Sequence, residues 1–245
     1  DRPGGRELVR LIEDGKVEAV YADAQDRLSR GKQPEWWQFV DLCEQTGAQL
    51  RVIPMTRKGE VDFAAFKELL TDRTRLLAMT HVSNALGTIV PVQHFIAEAR
   101  RRGVPVLLDG AQAAPQLEVD VQALDCDFYC FSGHKMCGPT GIGVLYGRES
   151  LLAAMPPWQG GGDMILAVSF ERTIYNDLPY KFEAGTPHIA GAIGLGVAVD
   201  YLQALGLNRI ASLEHDLLEY ATARLATVPG LEFVGTAPDK AAVIS

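Results

Sequence analysis

The chain has 245 residues, 47% of them hydrophobic and 22% charged, with a formal net charge of −8. That profile suits a soluble protein with a full core, in one large or two modest domains, and the negative balance argues against general affinity for nucleic acid or an anionic membrane surface. No apolar run approaches the roughly 18–20 residues of a membrane span, the polar N-terminus is not a signal peptide, and four scattered cysteines (Cys43, Cys126, Cys130, Cys137) are too few for a disulfide scaffold, so reduced thiols and a cytoplasmic location are expected.

In chain order, VEAVYA (17–22) reads as a strand and Asp26 as the start of an amphipathic helix with solvated arginines. LRVIP (Leu50–Pro54) and RLLAMTHVS (Arg75–Ser83) read as strands on either side of the helical DFAAFKELL (Asp62–Leu70). The helix VQHFIAEARRR (Val92–Arg102) and the strand VPVLLD (Val104–Asp109) follow, then the strands DFYCFS (Asp127–Ser132) and IGVLYG (Ile142–Gly147). Near-continuous apolar strands separated by helices imply an α/β fold, with a mostly parallel sheet covered on both faces. PPWQGGGDMI is loop-like, a long helix is expected from about Pro187 to Leu205, and a second from about Asn208 to Thr227. VPGLEFVGT (228–236) reads as a new strand, the opening of a small C-terminal α+β domain over 206–245.

In such sheets ligands sit beyond the carboxyl ends of strands. Three clusters fall there: His81–Asn84, Asp109–Gln112 and Ser132–Lys135. A lysine in a cleft of restricted solvent has its ammonium pKa lowered and can supply the free amine for Schiff-base chemistry. A carboxylate such as Asp109 can hold a protonated pyridine nitrogen and make the ring an electron sink. Gln112 can bond a phenolic oxygen, while Ser132 and His134 can bind phosphate. An acid for a ring nitrogen, a lysine for an aldehyde and a phosphate subsite together describe pyridoxal 5′-phosphate. GPTGIG is neither a Walker A loop nor a dinucleotide fingerprint. Cys126 and Cys130, read on one strand face about 13 Å apart, are too distant for one metal, and no metal site is expected.

The segments HVSNALGTIVPV, VLLDGAQAAPQLEVDVQALDCDFYCFSGHKMCGPTGIGVLYG, MPPWQGGGDMI and FEAGTPHIAGAIGLGVAVDYLQALG resemble the class V aminotransferase superfamily, and within it the SUF-type (group II) cysteine desulfurases, over about 47–245. The resemblance implies the large domain of a fold type I pyridoxal-phosphate transferase over 47–205. Lys135 is then the lysine that joins the cofactor aldehyde, with Asp109 facing the pyridine nitrogen, Gln112 the phenolic oxygen, and Ser132 and His134 the phosphate. Asn84 lies near substrate and ring oxygen. Thr186, in FEAGTP, reaches the phosphate of the other subunit, which implies a homodimer.

The implied reaction converts L-cysteine to L-alanine and leaves sulfur as an enzyme persulfide, passed to an acceptor protein for iron–sulfur cluster assembly. The family's persulfide cysteine and a substrate-clamping arginine lie in a C-terminal segment beyond Ser245, so weak or no desulfurase activity is expected of this chain alone. Cys137, where the family has a bulky side chain, is expected to be a half-buried small residue rather than the sulfur acceptor. The family's Gly-Thr phosphate loop and ring-stacking histidine are not found before Gln49, and His81, part of the HVSN motif, is not assigned the stacking role.

Residues 1–46 resemble instead the middle of a serine recombinase catalytic domain, through DRPG, VEAVYA and DRLSR (Asp26–Arg30). That resemblance implies phosphate contacts for Arg27 and Arg30. Yet ten acidic against seven basic residues in the first fifty oppose DNA binding. A DNA-binding recombinase fragment and another class V lyase or aminotransferase are the alternatives to the desulfurase reading. Losing the strands that normally precede residue 47 is expected to leave unpaired sheet edges, unless the recombinase-like α/β unit substitutes for them.

Overall fold

The structure is a computed structural model that describes residues 47–245 and, for the backbone alone, Glu18–Ala22. The recombinase-like helix, Arg27, Arg30, Cys43 and the expected junction near Cys43–Leu50, up to Thr46, lie outside the described residues. Strand β1 (Glu18–Ala22) lies parallel between β2 (Gln49–Ile53) and β3 (Thr74–Thr80), so the strand expected in VEAVYA occupies an inner position of the sheet. The six-stranded order is β2-β1-β3-β4-β5-β6, with β4 at Val106–Asp109, β5 at Phe128–Ser132 and β6 at Gly143–Gly147. Among the described residues its edges are β2 and β6.

Each strand–helix step follows from a local signal. Helix α1 (Phe63–Leu69) starts where the Asp62 carboxylate accepts hydrogen bonds from the N–H groups of Ala64 and Ala65, at 2.9 and 3.0 Å. Helix α2 (Val92–Arg101) buries Val92, Phe95, Ile96 and Ala99, the i, i+3, i+4, i+7 face that its sequence period demands. The one-turn helix α3 (Val121–Leu124) is capped by Asp120 and closed by Asp125 in the left-handed region, φ 58°. Asp125 pairs there with Arg100 at 2.8 Å and with Arg148. Phe63 and Phe66 of α1 meet Phe95 of α2 with centroids 5.0 Å from it in each case. Together with Leu77, Met79, Leu108 and Tyr129 they form the main core on one side of the sheet.

Strand β6 runs antiparallel to β5 because the connection is too short for a crossover helix. It turns on Gly133, whose N–H donates to the Ile142 carbonyl at 2.9 Å. Helix α4 (Glu149–Ala154), the hairpin β7 (Ile165–Val168) and β8 (Thr173–Tyr175), and the long helices α5 (Ile189–Leu205) and α6 (Leu207–Leu225) follow. Among the described residues, no single helix is long and apolar enough to cross a membrane.

Three expectations need correction. No strand forms over 228–236: Gly230 and Gly235 adopt φ of 79° and 78°, which bends the chain out of the extended conformation at two points, and the segment runs as turns and bends. Cys126 precedes β5, so it does not share a strand face with Cys130; its thiol is buried, and burial pushes its pKa up. Cys137 is exposed rather than half-buried, because the turn after Lys135 puts it at φ 58° with its side chain outward.

Candidate functional site

Parallel register brings the strand ends together. Thr80, Asp109 and Cys130 are successive partners across β3, β4 and β5. The step from Asp109 into the next helical turn is set by its own carboxylate, whose Oδ1 accepts the Ala111 N–H at 2.9 Å. The Gly110 carbonyl then accepts the N–H groups of Ala113 and Ala114 at 2.9 and 2.8 Å, winding the turn that carries Gln112. On the neighbouring strand, Ser132 ends β5 and a single 3-10 turn, Gly133–Lys135, carries the chain out of the sheet. Lys135 Nζ donates to Gln112 Oε1 at 3.5 Å, closing the gap between the two strand ends. The amine is half-buried, His134 beside it is exposed, and Ser132 lends its hydroxyl to no helix cap.

Two other expected residues, Asn84 and Thr186, lie on exposed turns. Asn84 is exposed in the tight turn after β3, where Ser83 N–H donates to the Thr88 carbonyl at 2.9 Å and Gly87 N–H to the Ser83 carbonyl at 2.9 Å. Thr186 is exposed on the loop ahead of α5, next to Gly185, whose N–H donates to the Gly162 carbonyl at 2.9 Å and so ties that loop to the triple-glycine segment.

His81, excluded from ring stacking in the sequence reading, is buried at the end of β3 with its Nδ1 3.1 Å from the Tyr129 hydroxyl. Burial lowers the pKa of His81; burial, and then the nearby Cys126 and Asp109, raise that of Tyr129. Tyr129 was not among the residues expected at the site. The available signal was a hydroxyl inside a strand that is otherwise apolar.

The sequence matches the Aminotransferase class-V family over residues 35–245. The chain belongs to that family. Among curated class-V relatives, a cysteine desulfurase of Synechococcus elongatus is 56% identical over 209 residues, which are 85% of this chain and 33% of the relative. A cysteine desulfurase of Escherichia coli is 53% identical over 210 residues, 85% of this chain and 51% of the relative. The chain therefore spans a third to a half of the length of these relatives. Among solved structures, a cysteine desulfurase of Escherichia coli superposes with a TM-score of 0.83 at 35% identity, covering 98% of this chain and 60% of that one. An apo cysteine desulfurase of Thermococcus onnurineus gives 0.84 at 31% identity with the same coverages, 98% and 60%. The fold is that of the fold type I pyridoxal-phosphate enzymes.

The donor set fits the class-V cofactor, pyridoxal 5′-phosphate. It offers a primary amine within reach of an amide oxygen, a carboxylate on the adjacent strand end, and a hydroxyl and an imidazole where the chain leaves the sheet. The amine matches the aldehyde, the carboxylate the ring nitrogen, the amide the phenolic oxygen, and the hydroxyl and imidazole the phosphate of that molecule.

Proposed function

We propose that this chain is the cofactor-binding part of a SUF-type cysteine desulfurase. The observation that carries the reading is the Lys135–Gln112 contact at 3.5 Å, made beside the end of the strand that bears Asp109. Identity of 53–56% to named cysteine desulfurases supports the reaction: L-cysteine gives up its sulfur to an enzyme thiolate, which becomes a persulfide, and L-alanine remains. The working unit on this reading is a homodimer in which Thr186 serves the partner's phosphate subsite, and the persulfide sulfur goes to an acceptor protein for iron–sulfur cluster assembly.

Bound pyridoxal phosphate supplies an electron sink for the carbanion formed at the substrate α-carbon. The protein's share is placement and proton handling. The Lys135 amine would hold the cofactor through its aldehyde and, when free, would serve as the base for the substrate α-proton. Gln112 steadies that amine through its amide oxygen and is placed to meet the ring's phenolic oxygen. Asp109 would keep the ring nitrogen protonated, since a carboxylate beside a pyridinium favours the charged form. Ser132 and His134 would hold the phosphate, and Asn84 would serve the substrate side.

The boundaries at 46/47 and 205/206 remain our division of the chain into a recombinase-like segment, the large domain and the start of a small domain. The short DRLSR match is the basis for reading residues 1–46 as recombinase-like, although the class-V match already begins at residue 35; the net negative charge of the segment is why no DNA-binding role is assigned to it.

The test is a titration of the purified chain with pyridoxal phosphate, followed by the visible absorption of lysine-bound cofactor. A band that forms with the parent and is lost in Lys135→Ala is expected; no band in the parent sinks the cofactor assignment.

A further inference from the structure

His81 and Tyr129 stand outside the donor set above, yet both are buried behind it. Tyr129 sits on β5 with 2% of its surface exposed, and His81 just past β3 with 7%. Strand β4 runs between these two strands. The 3.1 Å hydrogen bond between His81 Nδ1 and the Tyr129 hydroxyl therefore crosses β4. Gly110 marks where it crosses: a Cβ added there falls 2.1 Å from Cε1, Cζ and Oη of Tyr129. The tip of the phenol thus fills the space that a side chain at position 110 needs. Backbone bonds fasten the same level, from His81 N–H to the Asp109 carbonyl at 2.9 Å and from Gly110 N–H to the Cys130 carbonyl at 2.8 Å. The two rings meet edge to face, centroids 6.0 Å apart at 88°. Alternation along the strand sends positions 109 and 110 to opposite faces, so Tyr129 lies behind the step from which the Asp109 carboxylate projects. A phenylalanine would fill the core as well as Tyr129 does without burying a hydroxyl, so the hydroxyl–imidazole bond calls for a reason beyond packing.

We propose that the His81–Tyr129 hydrogen bond is a positioning device for Asp109: a strap from β3 to β5, closed behind Gly110, that fixes the direction in which the Asp109 carboxylate meets a bound pyridoxal phosphate ring. The proposal rests on the cofactor reading of the preceding section. His81 and Tyr129 are positioning residues that act through the Asp109–Gly110 turn.

Tyr129→Phe in the full chain removes the hydroxyl and keeps the ring. Titrated with pyridoxal phosphate, it is expected to bind about fivefold more weakly, the factor that follows from one lost buried hydrogen bond, with a weaker visible circular dichroism band from the held cofactor. His81→Ala should match it, His81→Gln should restore part of the band, and the double variant His81→Ala, Tyr129→Phe should be no worse than either single one. Parent-like affinity and parent-like visible dichroism in Tyr129→Phe overturn the strap. If the parent takes up no cofactor, the cofactor reading fails by itself and the strap is judged on the cofactor-free protein. The Ala111 N–H, held by Asp109 Oδ1 at 2.9 Å, should then exchange with solvent about fivefold faster in Tyr129→Phe, and unchanged exchange overturns the strap. Should Tyr129→Phe not fold, His81→Gln serves in both measurements, with smaller shifts in its favour and no shift against it.

Discussion

Two regions of this chain are equally apolar in sequence and opposite in structure. Around β3, β4 and β5, large side chains are closed off: Phe66 and Leu77 have no exposed surface, and Phe95 and Met79 only 1% each. In the hairpin β7–β8 and along α5, the same residue types face outward, with Phe170 fully exposed, Val168 at 70% and Ile193 at 65%. Helix α5 carries the contrast within itself. Leu195, Ala198 and Leu202 are buried on one face, while Ile189, Ile193, Val197 and Tyr201 line the other at four-residue spacing, all more than half exposed. A helix that is apolar all round is normally covered all round. Hydropathy thus reports which surfaces favour burial, whereas whether they are buried depends on which elements lie next to them.

The sharpest way to break the comparison is to cut the inner core. Phe95→Ala removes a ring packed against both Phe63 and Phe66 and should cost about 3–5 kcal/mol, measured as a shift in the denaturant midpoint. A smaller loss would mean that the inner region is as loosely held as the outer one. Gly110→Ala comes next. The new methyl falls 2.1 Å from the Tyr129 ring, whose 2% exposure leaves it little room to retreat, so a destabilisation of about 1–3 kcal/mol is expected. Because the strain lies at the Asp109 turn, the same change should weaken cofactor uptake more than Phe95→Ala does in whatever fraction remains folded.

The uneven legibility of the sequence has the same origin as the contrast between the regions. Strands β2 to β6 were readable because each is a short, mostly apolar run closed by a proline, a polar residue or a glycine. The strand-end clusters at Asp109 and Lys135 were readable because their side chains change character where the run stops. VEAVYA was readable as a strand, but nothing local says that it pairs with both Gln49–Ile53 and Thr74–Thr80. The contact of Tyr129 with Gly110 and His81 was illegible for the same reason: it is made across three strands and leaves no pattern along any one of them. The strand expected in VPGLEFVGT followed its apolar composition, and two positive-φ glycines overrode it. Cys137 was read from its neighbours as half-buried, although its exposure is decided by the left-handed turn at that residue.

Smaller effects sharpen the comparison further. The buried imidazole of His81 has its pKa lowered, while in the unfolded chain it titrates near the ordinary value of about 6.5. Above that pH both states are neutral and His81 contributes no pH dependence. As pH falls through it, the unfolded chain takes up a proton that the folded chain refuses, so stability declines toward acid until the folded imidazole also titrates. His81→Gln should flatten that part of the stability–pH curve. At the outer extreme stands Phe170→Ser. Phe170 lies at the tip of the β7–β8 hairpin and is fully exposed, so its removal takes away no buried contact and should leave unfolding free energy within about 0.5 kcal/mol of the parent. What it does remove is apolar area from a surface that also carries Leu166 and Val168, at 68% and 70% exposure. Self-association measured by sedimentation should therefore fall while thermal stability stays put. A loss of stability of the size expected for Phe95→Ala would show that the hairpin tip is held by a burial like that of the inner core, and the distinction between the two regions would disappear.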